Sequence, residues 1–211
     1  LSQLYTGNDA RSRIVLEQLR DKVADLSAMR ALGFCVSVDH ADYMAAVFNR
    51  AGIPALAVNG STPIRDREDA IRRLRSRDVN VLFAADLFNE GLDIPEVDTV
   101  LFLRPTESST IFLQQLGRGL RLVDGKAVLT VLDFVGHHRK EFRFDQRYRA
   151  LTGATRRGLA HQVEQGFPFL PSGCQIILDR QTSDAVLKSV REQLTGPWQQ
   201  PLSAVPYTNL T

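Results

Sequence analysis

The sequence predicts an open α/β domain, a parallel sheet flanked by helices, followed by a smaller and mostly helical extension. Five short apolar runs rich in Val, Leu and Phe alternate with longer amphipathic stretches, the pattern of strands buried on both faces and joined by crossover helices. Right-handed crossovers place such helices on both sides of the sheet. After Asp133 the alternation stops and the chain turns basic and aromatic.

Taken in order, Asp9 stands where it would cap a helix over Ala10–Leu26. Strands are expected at Gly33–Ser37, Ala55–Val58, Val79–Ala84, Thr99–Leu103 and Ala127–Asp133, with helical spacing at His40–Ala51, Ile64–Arg75 and Ser108–Leu116. The extension reads as a helix at Thr155–Gln165, a turn-rich Phe167–Gly173, a short strand at Gln175–Leu178 and a helix over Thr182–Leu194. Gly196–Thr211, with three Pro, is expected to be irregular. The expected spans are a helical lead-in at 1–30, the sheet domain at 31–135, a basic helical extension at 136–195 and a tail at 196–211.

A length of 211 residues with 44% hydrophobic and 24% charged residues is enough to bury a core. No apolar run approaches the roughly 18–20 residues of a membrane-spanning helix, so no membrane partner is expected. The N-terminus lacks the charged-then-apolar order of a secretion signal, and the missing initiator Met suggests a piece of a longer chain. Cys35 and Cys174 lie far apart without metal-ligand spacing, which supports neither a zinc site nor a disulfide framework and points to a reducing cytoplasm. The net charge of +2 does not by itself mark a nucleic-acid protein. Its distribution is more informative, because seven Arg/Lys against Glu141 and Asp145 concentrate positive charge between His137 and Gly158, leaving the rest net negative.

Two segments have the composition of a reactive site. In Val81-Leu-Phe-Ala-Ala-Asp-Leu-Phe-Asn-Glu-Gly-Leu-Asp-Ile-Pro95 a buried strand runs into a loop at the carboxyl edge, where open α/β sheets bind ligands. Gly91 there permits close backbone approach and Asp93 offers an acceptor to a ribose hydroxyl; an ordinary turn has the same residue types. In Phe112-Leu-Gln-Gln-Leu-Gly-Arg-Gly-Leu-Arg121, Arg118 and Arg121 form an i,i+3 pair whose forked guanidiniums suit phosphate oxygens, although a solvated basic face is the alternative. Glycine on both sides of Arg118 costs a helix about 1 kcal/mol each. No G-x-x-x-x-G-K-[ST] occurs, so a phosphate for these arginines would have to be held by another domain.

Phe34-Cys-Val-Ser-Val38 with His40-Ala-Asp-Tyr-Met-Ala45, then Ala85–Pro95, then Gln114-x-x-Gly-Arg-x-x-Arg121, resemble motifs IV, V and VI of superfamily two helicases, in order and at matching separation. Over about residues 31–135 the chain resembles the second RecA-like domain of DEAD/H-type helicases, the half without the phosphate-binding loop. The resemblance implies that Arg118 and Arg121 reach the triphosphate as arginine fingers, that Gln114 is a polar contact of the same motif, and that Gly91, Asp93 and Glu90 lie near the nucleotide. It implies that Ser37, Gly60, Ser61 and Thr62 meet the nucleic-acid backbone, with Arg67 supporting that contact. ATP and Mg2+ would be bound mainly by an N-terminal RecA-like domain of the same parent chain. Ala85 stands where many relatives have Thr before the Asp of motif V, removing one hydroxyl contact to the strand. The Asn-Glu-Gly-Leu-Asp-Ile-Pro form is closer to the excision-repair and restriction-enzyme branches, which favours DNA over RNA.

From Leu132 to Cys174 the chain is similar to the C-terminal extension of a bacterial helicase family, an extension of unassigned function. Phe142, Phe144 and Tyr148 among arginines offer two readings: rings stacked on bases with guanidiniums along phosphates, or a helix packed onto the sheet by Phe142 and Leu151 with its arginines solvated. His137-His138 point about 100° apart on a helix and lack further ligands at metal spacing, so no metal site is expected. The expected activity is that of an ATP-dependent helicase or translocase in the parent protein, with this chain alone inactive. The alternative is a non-catalytic module that keeps the fold to bind nucleic acid or protein.

Overall fold

The structure, a computed structural model, describes residues 7, 9–85, 94–104, 128–134, 148–149, 152–168, 170, 176–178, 183–184, 186–188 and 190–191. The chain divides into two compact units, Leu1–Phe142 and Arg143–Thr211. The first contains α1 (Asp9–Lys22), β1 (Ala31–Phe34), α2 (Val38–Arg50), β2 (Ala55–Asn59), α3 (Ile64–Ser76), β3 (Val81–Ala85), β4 (Thr99–Phe102) and β5 (Thr130–Asp133). The strands form one parallel sheet in the order β2-β3-β1-β4-β5, with Phe34 level with Ala84 on one side and Phe102 on the other.

This order decides what each helix covers. The β1-to-β2 crossover through α2 runs one way along the sheet and the β2-to-β3 crossover through α3 runs back, so right-handed connections put the two helices on opposite faces. α2 packs on β2 and β3, while α1 lies against α2 and β5 and so completes the same layer. Val15 and Leu19 of α1 are buried in the same core as Phe48, Phe83 and Leu101. Burying each such side chain contributes about 1.5–3 kcal/mol. The rings of Phe48 and Phe83 meet edge-on with centroids 4.9 Å apart, and Phe34 stacks on Phe102 at 5.6 Å.

Polar side chains that bond to backbone fix the amino edge of the sheet. Asn80 donates through Nδ2 to the carbonyls of Ser27 and Met29 at 2.9 and 3.1 Å, tying the approach to β1 onto the start of β3. Asn49 exchanges two bonds with the backbone of Ala55, at 2.9 and 3.0 Å, and so sets where β2 begins. Asp98 accepts the Arg30 amide and aligns β4 beside β1.

Several boundaries differ from expectation. β1 begins two residues early and stops at Phe34, because Ala31 and Leu32 are buried in register with Val81 and Leu82 while Ser37 serves the next helix as its cap. Val79 lies in the turn after α3 and not in β3, donating to the Arg73 carbonyl after Arg77 has turned the chain through the left-handed region at φ 68°. Asp9 lies in the first turn of α1 rather than capping it, its carboxylate accepting the Tyr43 hydroxyl at 3.0 Å. α1 ends at Lys22, short of Leu26, before a turn in which the Asp25 carboxylate collects the Ser27 amide and hydroxyl and the Ala28 amide. The expected helix Ser108–Leu116 lies outside the described residues.

In the second unit, α4 (Arg156–Glu164) is capped by Thr155, whose hydroxyl accepts the Gly158 amide at 3.1 Å. Phe167 follows at φ 57°, buried, with its ring 6.0 Å from that of Tyr148. Residues 183–184, 186–188 and 190–191 are helical, with Val186 and Val190 fully buried. Residues 176–178 form no strand ladder, against the strand expected at Gln175–Leu178; among the described residues none pairs with them. No described helix is long and apolar enough to cross a membrane.

Candidate functional site

The outgoing connection of β1 runs toward β2, whereas that of its neighbour β4 runs toward β5, so the sheet changes direction at β1. Ligands of open α/β sheets bind at the carboxyl edge beside such a switch. α2 and α3 both begin at this edge, which turns their partially positive amino ends toward it. Asp39 and Asp66 sit in their first turns.

At the end of β1 the ladder continues one residue, the Cys35 amide donating to the Ala84 carbonyl at 2.9 Å, and then the chain turns. Ser37 is extended, at φ −158° and ψ 168°, and its hydroxyl oxygen accepts the His40 amide at 3.2 Å. His40 is buried, and its Nδ1 accepts the Val36 amide at 3.3 Å. Burial, with the Arg11 charge adding to it, lowers the pKa of His40 to about 4, so the ring is neutral at pH 7. Burial pushes the Cys35 thiol well above its ordinary range, against the smaller opposing pull of Arg104, so it is protonated and unreactive.

At the end of β2, Asn59 organises the loop that leads into α3. Its side-chain oxygen accepts the Ser61 amide at 2.9 Å and the Ser61 hydroxyl at 2.6 Å. Its amide donates to Thr62 Oγ1 at 2.9 Å, and its carbonyl accepts the Thr62 amide at 3.1 Å. From the first turn of α3, Arg67 Nη2 reaches back to the carbonyls of Asn59, Gly60 and Thr62 at 3.5, 3.5 and 3.3 Å. The guanidinium thus gathers the loop's carbonyls on one side. The amides of Ser61 and Thr62 are used inside the loop, whereas the Gly60 amide takes part in none of these bonds. A Cβ on Gly60 would meet nothing within 4 Å.

Ser37 and the Asn59–Thr62 loop are therefore brought to one edge but not into contact. β3 stands between β1 and β2, which separates their ends by about two strand spacings, roughly 10 Å. Hydroxyls, a glycine amide and helix amino ends spaced in this way suit successive anionic oxygens. Ser37, Gly60, Ser61, Thr62 and Arg67 all lie on this edge. Glu90, Gly91, Asp93, Gln114, Arg118 and Arg121 lie outside the described residues, as do Phe142 and Phe144.

Sequence patterning missed three participants: His40 as a support for the turn, Arg11 beside it, and Tyr43, which joins α1 to α2 through Asp9 and Ser12. The His three residues after Ser37 was the available signal, since that is the spacing of a capping exchange. In the second unit, Tyr148 is buried against Phe167 and Arg149 Nε donates to the Ala154 carbonyl at 3.1 Å; Phe142 and Leu151, on which the packed reading of this segment turns, lie outside the described residues. Among the described residues no three His, Cys, Asp or Glu side chains converge as a metal seat.

Comparison with known proteins agrees with this architecture. Residues 14–123 match the family described as "Helicase conserved C-terminal domain". The chain is 30% identical over 125 residues to the Saccharomyces cerevisiae protein named "Putative ATP-dependent helicase IRC3", covering 59% of this chain and 18% of that protein. It is 24% identical over 208 residues to UvrABC system protein B of Helicobacter hepaticus, covering 92% of this chain and 31% of that protein. Among solved structures it is similar to the E. coli DEAD-box protein SrmB, crystallised bound to regulator of ribonuclease activity A, with a TM-score of 0.55 and 25% identity, covering 66% of this chain and 77% of that one. The chain spans less than a third of the length of these two curated relatives.

Proposed function

The chain belongs to the helicase conserved C-terminal domain family, as a RecA-like domain of superfamily two, and from that premise we propose that it is the C-terminal half of an ATP-dependent DNA helicase or translocase. The observation that carries this reading is the family match, which runs unbroken from α1 through Ser37, the Asn59–Thr62 loop and both arginines of the Gln114–Arg121 segment.

In this reading the carboxyl edge holds the strand by its phosphates at two places, Ser37 and Gly60–Thr62, with Arg67 keeping the second loop in shape. Gly91, Asp93 and Glu90 adjoin the nucleotide, Gln114 is a polar contact, and Arg118 and Arg121 meet the γ-phosphate when an N-terminal RecA-like domain of the parent closes on this one. ATP supplies the phosphoryl group and Mg2+ offsets its charge when bound. Both are assigned to the N-terminal domain, since the chain has no phosphate-binding loop motif. Closure and release would then alternate the relative position of two strand grips, a population shift biased by nucleotide contacts. The Asn89–Pro95 form favours DNA, the cysteine usage favours a reducing, cytoplasmic setting, and the resemblance of the extension favours a bacterial one.

The test is ATP hydrolysis by the full-length protein with single-stranded DNA or RNA of one sequence. Stimulation by DNA well above that by RNA is expected. Equal stimulation would overturn the DNA assignment, and none by either would overturn the motor.

A further inference from the structure

Ser37, Val38, Asp39 and His40 occupy the N-cap and first three positions of α2. In a capping box the N-cap hydroxyl accepts the amide of the third helical residue, and a Glu or Gln there reaches back to the N-cap amide. The first bond is present, from the His40 amide to Ser37 Oγ at 3.2 Å. The return bond is displaced by one residue and made to an imidazole, with the Val36 amide donating to His40 Nδ1 at 3.3 Å. Together the two bonds bracket Ser37. At 1% exposure the site suits a neutral acceptor, because a carboxylate there would lose its hydration.

An accepting Nδ1 requires the neutral ring with its proton on Nε2. Among the described residues Arg11 on α1 is the one whose charge acts on the ring; the other charged groups of α1 and α2, Asp9, Asp39 and Asp42 among them, and Arg104 after β4 do not shift it. Arg11 is itself anchored, donating through Nη2 to the Phe134 carbonyl at 2.9 Å. Protonation would turn Nδ1 into a donor facing the Val36 N–H, leaving two donors head to head in a buried turn.

We propose that His40 is a positioning residue of the grip at Ser37: its neutral ring closes a displaced capping box that fixes the β1–α2 turn and thereby how Ser37 meets the nucleic-acid backbone. The inference rests on the reading of Ser37 as a strand contact.

The experiment measures binding of the full-length protein to a single-stranded thymidine oligonucleotide at fixed ionic strength from pH 8 down to about 3.5, with folding checked by circular dichroism at each pH. Wild type is expected to weaken as the pH falls toward the value at which His40 takes up a proton. His40→Gln keeps an acceptor at the same position, so it should bind within about twofold of wild type at pH 7 and lose that acid-dependent component. His40→Leu keeps the bulk without the acceptor and should bind about tenfold more weakly at pH 7. Should the Leu variant not fold, the Gln profile decides. Identical pH profiles for wild type and His40→Gln, or a folded His40→Leu that binds like wild type, would overturn the proposal. Ser37→Ala separates the two levels. Weaker binding in Ser37→Ala with the His40 variants unaffected sinks the positioning role alone, whereas unchanged binding in Ser37→Ala removes the strand contact and this inference with it.

Discussion

The ring of Phe83 fills the space that a side chain on Gly33 would need: a Cβ at Gly33 would stand 2.6 Å from Phe83 Cε1. The two residues are register partners on adjacent strands, and the ring that lies over the glycine is the one that meets Phe48 of α2 edge-on. The missing side chain at Gly33 thus seats the helix that carries Ser37.

Gly33→Ala should accordingly destabilise the protein by about 1–3 kcal/mol through overpacking. Urea unfolding measures it. Adding Phe83→Leu should recover part of the loss, and a double-mutant cycle showing simple additivity would contradict the contact.

Gly60 is the opposite case. With open space around its Cα, Gly60→Ala should leave stability within about 0.5 kcal/mol of wild type. Nucleic-acid affinity should nevertheless fall, since a methyl would stand where the strand backbone approaches. A melt and a binding titration on the same preparation check both halves, and unchanged affinity would mean that no strand comes close there.

Arg67 Nη2 donates to three loop carbonyls, and in the proposed reading it shapes the loop rather than pairing with phosphate. Arg67→Met should weaken binding while leaving the slope of log affinity against log salt nearly unchanged. A slope reduced by about one would assign it a phosphate contact instead.

His40 also links stability to pH. Folded, it titrates at about 4; unfolded, near its ordinary 6.5. Between those values the unfolded chain binds the extra proton, so stability is fully present above about pH 6.5 and declines as the pH falls toward about 4. The contribution is at most about 3 kcal/mol. Denaturation midpoints across this range should show the decline, and His40→Gln should remove this component of it.

The sheet and its two crossover helices were legible because apolar periodicity and turn residues report burial directly, whereas Ser37 and the Asn59–Thr62 loop were singled out by the resemblance to helicase motifs. Patterning misplaced β1 because Cys35 and Val36 continue an apolar run past the last strand residue, while Arg30 obscures the start at Ala31. It overlooked Asn49 and Asn80 because a polar side chain that bonds to backbone leaves no periodic trace, and the His40 ring because its three-residue spacing from Ser37 was not read as a capping exchange. It could not show that Arg67 turns toward carbonyls, since a basic residue reads the same in sequence whether it meets a phosphate or a peptide oxygen.

The measurement closest to the central claim is DNA-stimulated ATP hydrolysis by the full-length protein, compared with Arg118→Ala and Arg121→Ala in folded preparations of equal DNA affinity. Loss of about 10²-fold or more in kcat, the scale of removing a charge that acts on the transferring phosphate, is predicted for at least one of them. Hydrolysis unchanged in both, or turnover by the 211-residue chain alone that Arg121→Ala abolishes, would contradict an ATP site completed across two domains.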